Sequence, residues 1–246
     1  MRSRKIALAF ALLSAARIAA GSSVSVLFVG NSLTYTNDLP GMFKKLAAES
    51  SLHVDVEVTL IAPGGAFLYD HWKHGQALAL LREKHPKFLV LQGQSTEALS
   101  APQSFSQSAQ LFKAEADRIG ATTILFATWA RPAGDPYYKE PTSGGSPAVM
   151  QARLDAAYAD VAKSTGATLA PVGAAWERAQ QATAEIQLLD GTQHPSPAGT
   201  YLAAAVLFRT MFNASPVGST YYGGLPKDVA LRLQHVADEI SISPAQ

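Results

Sequence analysis

Val24-Ser25-Val26-Leu27-Phe28-Val29-Gly30-Asn31-Ser32-Leu33-Thr34 (residues 24–34) carries more structural information than any other stretch of the chain. Its first six residues are apolar apart from Ser25, and a glycine closes the run. A short apolar run of this kind suits a strand of a parallel sheet, covered by helices on both faces. Residues 88–91 and 123–127 read the same way, and 168–172 more weakly. Residues 54–58 (Val-Asp-Val-Glu-Val) alternate instead, as a strand does when one face lies nearer water, so this strand is a candidate for a sheet edge.

Helical stretches separate the strands. Residues 39–50 follow Asp38, a candidate N-cap. Residues 69–84, 104–119 and 147–165 supply further crossovers, and 226–240 a last helix. Ser196 and Pro197 read as N-cap and first residue of a helix reaching about residue 212. Alternating strands and helices imply an α/β domain with a parallel sheet, right-handed crossovers and helices on both faces. The Pro-, Gly- and Tyr-rich segment 131–146 is the longest non-periodic stretch and is expected to be a loop near the site.

In open α/β sheets, ligands bind beyond the carboxyl ends of the strands. The residues there are Gly30-Asn31-Ser32, Ala62-Pro63-Gly64-Gly65, Gln92-Gly93-Gln94-Ser95 and Trp129-Ala130-Arg131. A serine in such a turn can expose its hydroxyl but needs a base to become a nucleophile. The oxyanion formed on attack needs preorganised donors, each worth roughly 2.7–4 kcal/mol of barrier. Backbone N–H groups of Ser32 and Gly65 are candidates, with a glutamine carboxamide as a third. The base is found in Asp190-Gly191-Thr192-Gln193-His194-Pro195-Ser196, where His194 precedes the helix capped by Ser196. Asp190 is close enough in sequence to hold one imidazole nitrogen.

Composition narrows the class. The 246 residues are 48% hydrophobic and 16% charged and contain no cysteine, which excludes disulfides, thiolate metal sites and a cysteine nucleophile. Residues 1–21 read as a signal peptide: Arg2, Arg4 and Lys5 precede an apolar run, and small residues follow at 19–21. An exported protein, periplasmic or secreted, is expected, with residues 22–246 as a single domain. Four of the 20 basic residues lie in the first twenty positions, leaving sixteen against 19 acids, a formal charge of −3. No basic face survives to suit nucleic acid, and no later segment is apolar for long enough to cross a membrane.

These features together resemble the SGNH (GDSL-like) hydrolases. Val29 to Thr34 is similar to that family's nucleophile block, Gly65 to its oxyanion glycine, and Asp190 and His194 to its acid and base. Further matching stretches are Asn37-Asp38-Leu39-Pro40, His71-Trp72, Val90-Leu91-Gln92, Thr128-Trp129-Ala130, Pro171-Val172-Gly173 with Ala175-Trp176, and His194 to Leu202. The resemblance covers roughly residues 24–240. It implies a flavodoxin-like three-layer α/β/α sandwich with five parallel strands in the order 2-1-3-4-5.

Three positions depart from the family pattern. Asn31 replaces an aspartate. The third block reads Gly93-Gln94-Ser95-Thr96 in place of Gly-x-Asn-Asp, so Gln94 or Gln92 must replace the asparagine donor. Asp190 lies four residues before His194 where the family has three, and Gly191 is expected to absorb the extra residue.

The resemblance implies ester hydrolysis through an acyl-enzyme on Ser32, with His194 as base, Asp190 orienting it, and Ser32, Gly65 and Gln94 holding the oxyanion. Neither cofactor nor metal is required, and no metal site is expected at Asp70, His71 and His74. Analogy with glutamine-bearing relatives, together with export, points to small O-acyl groups, O-acetyl above all, on carbohydrates. A lipid or thioester hydrolase of the same fold and a non-catalytic carbohydrate-binding protein are the alternatives. Trp72, Trp129, Tyr137 and Tyr138 are candidates for a sugar-binding cleft or for packing.

Overall fold

The computed structural model describes residues 23–183 and 185–242; the expected signal segment lies outside them. Five strands form one parallel sheet: β1 (Val24–Val29), β2 (Val56–Ile61), β3 (Phe88–Leu91), β4 (Thr122–Phe126) and β5 (Thr168–Ala170). Their order is β2-β1-β3-β4-β5, as the resemblance implied, with β2 at an edge. Around them run α1 (Ser32–Tyr35), α2 (Leu39–Ala48), α3 (Leu68–His74), α4 (Gln76–Lys84), α5 (Glu97–Ser100), α6 (Pro102–Arg118), α7 (Pro147–Thr165), α8 (Val172–Ala182), α9 (Pro197–Phe212) and α10 (Lys227–Glu239).

Strand alternation sorts the core into two layers. Val26, Phe28, Val90, Ile124 and Phe126 face α2, α8, α9 and α10. Leu27, Val29, Leu89, Leu91 and Leu125 face α3, α4, α6 and α7. Both faces of the central strands are thereby removed from water, which accounts for their near-continuous apolar runs. α9 is buried almost all round because α2, α8 and α10 enclose it, so its sequence lacks a polar stripe. Among the described residues no helix is long and apolar enough to cross a membrane.

Several expected boundaries move. The alternating stretch 54–58 enters the sheet only at Val56, because pairing starts at Val24↔Val56 and continues to Val29↔Ile61. The expected helix 69–84 is two helices. Gly75 has φ 75°, and its N–H caps α3 on the His71 carbonyl before α4 sets off. A left-handed residue ends an α-helix, and glycine takes that conformation without steric cost. β5 stops at Ala170, and Val172, Ala175, Trp176 and Ala179 form the buried stripe of a helix rather than the end of a strand.

Ser196 caps α9 as expected, accepting from Gly199 N at 3.2 Å, with Pro197 in the first turn. Gly199 is needed for close approach. A Cβ there would lie 2.2 Å from the Leu188 carbonyl oxygen and 2.4 Å from the Trp176 ring. Gly199→Ala should therefore destabilise the protein by about 1–3 kcal/mol, as overpacking does. Urea denaturation measures this, and a wild-type midpoint would contradict the close contact of α9 with the 188–196 loop.

Candidate active site

Three loops meet at the carboxyl end of the sheet. The first follows β1. Asn31 caps α1, its Oδ1 accepting from Leu33 N at 3.1 Å, and Ser32 is the first helical residue. A first-turn N–H has no partner within its own helix, so Ser32 N–H is left for a ligand. Asn31 Nδ2 donates to the Ala66 carbonyl at 3.0 Å. An aspartate, which only accepts when ionised, could not make this second bond. The amide side chain therefore ties the serine turn to the next loop.

That next loop follows β2. Ala66 N bonds the Pro63 carbonyl at 3.2 Å, closing a turn in which Gly65 has φ 72°. A positive φ at the third position of a β-turn calls for glycine. Gly65 is exposed, and its N–H donates to no protein group among the described residues.

The third loop follows β3, and here the two glutamines separate. Gln92 is fully buried. Its Oε1 accepts from Asn31 N at 3.0 Å and Thr34 Oγ1 at 2.8 Å, and its Nε2 is bonded to the Gly93 carbonyl. The oxygen end of its carboxamide is consumed in holding the serine turn, and the amide end is turned onto the backbone of its own loop. Gln94 uses its Oε1 locally, accepting from Thr96 N at 2.7 Å and Thr96 Oγ1 at 2.9 Å. Its Nε2 keeps its donor capacity. Gly30 has no Cβ because one would fall 2.3 Å from Thr34 Oγ1 and 2.7 Å from Gln92 Oε1.

His194 arrives from the other end of the chain. Its Nε2 lies 3.0 Å from Ser32 Oγ. The loop carrying it is a small antiparallel clasp, with Asp190 N on the His194 carbonyl at 3.1 Å and Ser196 N on the Leu188 carbonyl at 2.8 Å. Asn37 Nδ2 donates to the Pro195 carbonyl at 2.8 Å, and Trp129 Nε1 to the Gln193 carbonyl at 3.1 Å.

Asp190 does not reach the imidazole. Its Oδ1 accepts from Thr192 N at 2.9 Å and Thr192 Oγ1 at 2.6 Å, and Thr192 Oγ1 in turn lies 3.0 Å from His194 Nδ1. The expected direct Asp190–His194 contact is thus corrected. The extra residue lets the loop turn at Gly191, φ 96°, so that Thr192 stands between acid and base. The Thr192 hydroxyl holds the Asp190 carboxyl below the usual carboxylate range.

Other expected residues take structural parts. Trp129 is buried, stacked on Trp176 at 3.9 Å, and Trp72 packs edge-on against Phe112, so neither lines an open cleft. Tyr138 is half-buried on the Arg131 carbonyl, and Tyr137 lies beneath the Arg131 guanidinium. His71 is buried, with Nε2 2.7 Å from the Gly30 carbonyl, and must donate there. Burial lowers its pKa, consistent with a neutral ring that positions the serine turn. Among the described residues no cluster of three His, Asp or Glu side chains could hold a metal.

Sequence reasoning missed Glu97. It is fully buried and accepts from Leu68 N at 3.1 Å and Gln94 N at 2.9 Å. It joins the start of α3, three residues past Gly65, to the loop bearing Gln94. Burial pushes its carboxyl up to about 6 from an ordinary 4.5, with the backbone donors partly offsetting this. Between those values the folded protein binds a proton that the unfolded chain does not. The contribution of Glu97 to stability therefore falls as the pH rises through this window, by on the order of 2 kcal/mol at most. Urea midpoints at pH 4.5 and pH 7 should show wild type exceeding Glu97→Gln by more at the lower pH. Equal differences at the two pH values would place the titration elsewhere.

No protein-family model and no curated protein matches the chain. Solved structures do. A protein of Slackia heliotrinireducens described as an SGNH hydrolase is 32% identical, with 77% of this chain and 100% of that one covered and a TM-score of 0.66. A DUF4886 family protein from Bacteroides uniformis is 17% identical, covering 88% of this chain and 94% of its own, with a TM-score of 0.69. An acetylxylan esterase from Geobacillus stearothermophilus is 13% identical over 78% of this chain and 94% of its own, with a TM-score of 0.55. The last two share the fold. With the first similarity spanning that protein's whole length, the chain belongs to the SGNH hydrolase family.

Proposed function

We propose that the protein removes small O-acyl groups, O-acetyl in particular, from carbohydrates, with Ser32 as nucleophile and His194 as general base. The observation that carries this reading is the 3.0 Å contact of Ser32 Oγ with His194 Nε2 beside the unpaired N–H groups of Ser32 and Gly65. Ser32 Oγ attacks the ester carbonyl carbon as its proton passes to His194 Nε2. The carbonyl oxygen, now an anion, takes hydrogen bonds from Ser32 N–H, Gly65 N–H and Gln94 Nε2. His194 returns the proton to the leaving alcohol oxygen, and an acyl-Ser32 ester remains. Water then attacks the ester carbon as His194 takes its proton; the bond from that carbon to Ser32 Oγ breaks, His194 returns the proton to Oγ, and the carboxylic acid departs.

The choice of acyl and alcohol rests on four supports. A cleft of about 400 Å³ borders Gly65 and is lined by Ile61, Pro63, Ala66 and Ala77, with Asp70 and His74 at its polar side. A second, of about 310 Å³, borders Leu189 and presents Arg131, Glu177 and Gln180, polar groups suited to a hydroxylated alcohol. Fold neighbours include an acetylxylan esterase. Export through residues 1–21 would bring such an enzyme to extracellular or periplasmic glycans.

Acetate release from a panel of acetylated glycans and peptidoglycan fragments tests the substrate class. Acetate from none of them, alongside turnover of acyl thioesters, would overturn it. Ser32→Ala should abolish nearly all hydrolysis of p-nitrophenyl acetate and all fluorophosphonate labelling while keeping the wild-type urea midpoint. Substantial turnover in the folded variant would remove Ser32 from the mechanism.

The glutamines should part company in the same assay. Gln94→Ala should lower kcat about 10²–10³-fold with little change in KM, as for loss of one oxyanion donor. Gln92→Ala should instead lose stability, about 1–3 kcal/mol, because it strands buried Asn31 N–H and the Thr34 hydroxyl. A pure kcat loss in Gln92→Ala with full stability would reverse the assignment.

A further inference from the structure

Thr192 occupies the position where an orienting carboxylate would be expected, and its hydrogen bonds leave only one arrangement of protons. A threonine hydroxyl has one hydrogen and two lone pairs. Three partners surround Oγ1: Asp190 Oδ1 at 2.6 Å, His194 N at 3.1 Å and His194 Nδ1 at 3.0 Å. The ionised Asp190 carboxylate can only accept, so the hydroxyl hydrogen goes to it. The His194 backbone N–H can only donate and takes one lone pair. The remaining lone pair faces Nδ1, which must therefore carry the ring proton. Nε2 is then bare, and it is the nitrogen that lies 3.0 Å from Ser32 Oγ. The hydroxyl thus imposes the tautomer that general-base attack requires.

We propose that Thr192 is the positioning residue of this site, holding His194 in its Nδ1–H tautomer and passing the charge of Asp190 to it in a Ser32–His194–Thr192–Asp190 relay. This rests on the reading of Ser32 and His194 as nucleophile and base. Thr192 touches neither substrate nor reacting atoms; it acts through the imidazole. When His194 gains a proton on Nε2, the Nδ1–H bond to Thr192 strengthens. Thr192, its own hydrogen on a carboxylate, is a better acceptor than an isolated hydroxyl. Asp190 Oδ1 also accepts from Thr192 N at 2.9 Å, so the carboxylate is clamped to the same residue twice. The one-residue lengthening of the loop is what makes room for the hydroxyl. Asp190 and Thr192 are both exposed, so substitutions there do not open the core.

Threonine has a near-isostere without the hydroxyl, valine, and a smaller residue that keeps it, serine. Thr192→Val should lower kcat on p-nitrophenyl acetate at least about 100-fold with KM nearly unchanged, whereas Thr192→Ser should stay within about threefold of wild type. Asp190→Asn should cost about tenfold in the wild-type background and nothing further beside Thr192→Val, since its effect travels through the missing hydroxyl. Nitrogen-15 NMR of the resting enzyme should show His194 protonated at Nδ1 in wild type and Thr192→Ser, and a tautomer mixture in Thr192→Val. The proposal is overturned if Thr192→Val stays within threefold of wild type, or if Asp190→Asn costs more than Thr192→Val, the sign of a direct carboxylate–imidazole pair. The Ser32–His194 reading fails separately, if Ser32→Ala or His194→Ala keeps wild-type turnover. The NMR arm reports on Thr192 in either case.

Discussion

One hydrogen bond, 3.0 Å from His194 Nε2 to Ser32 Oγ, joins residues 162 apart in sequence, and much of the polar architecture exists to hold its two ends. Neither end is rigid by itself. Ser32 sits in a four-residue helix, and His194 in a loop whose internal pairing is a single bridge. Each is fastened to larger elements. The serine turn hangs from β3 through the Gln92 carboxamide and from α3 through His71, which grips the Gly30 carbonyl. The histidine loop is pinned by the Trp129 indole, by Asn37, and by the start of α9, where Gly199 lets helix and loop touch. Asn37 serves both ends, since it lies just beyond α1 and bonds the Pro195 carbonyl and Thr200 Oγ1.

Buried polar groups are costly unless satisfied, and three satisfied ones stand around the carboxyl ends of the strands. Gln92, His71 and Glu97 are all nearly or wholly buried, and each spends its hydrogen bonds on the backbone or side chains of a site loop. Replacing any of them by an apolar residue would leave donors or acceptors stranded inside the protein. The arrangement selects one loop geometry at the expense of alternatives. Glu97 illustrates the tension, since its backbone donors favour the carboxylate while burial favours the neutral acid, and burial prevails.

The same loops explain why an asparagine can stand where the family has an aspartate before the nucleophile. Oδ1 performs the capping that either residue could provide, while Nδ2 reaches the Ala66 carbonyl. The turn holding Gly65 is thereby coupled directly to the residue preceding Ser32. Two prospective oxyanion donors are set relative to each other by a single side chain.

What was legible in the sequence was whatever depends on local patterning. Apolar runs marked the doubly covered strands, the alternation at 54–58 marked the edge strand, and Ser196-Pro197 marked the start of α9. Ser32, Gly65 and His194 were singled out because strand ends, turn glycines and a capped helix start restrict where reactive groups can stand. Tertiary structure decided the rest. Gln92 and Gln94 have the same side chain two residues apart, and only the packing of β3 against the serine turn buries one and leaves the other its free donor. Glu97 gave no periodic signal, because the partner that draws it inside, Leu68 N, lies on another helix 29 residues away. Asp190 is spaced almost like a direct partner of His194, yet the left-handed turn at Gly191 brings Thr192 between them. Spacing along the chain limits which groups can meet, but a hydrogen bond depends on direction to within a fraction of an ångström, and direction is set by contacts from parts of the chain far away in sequence.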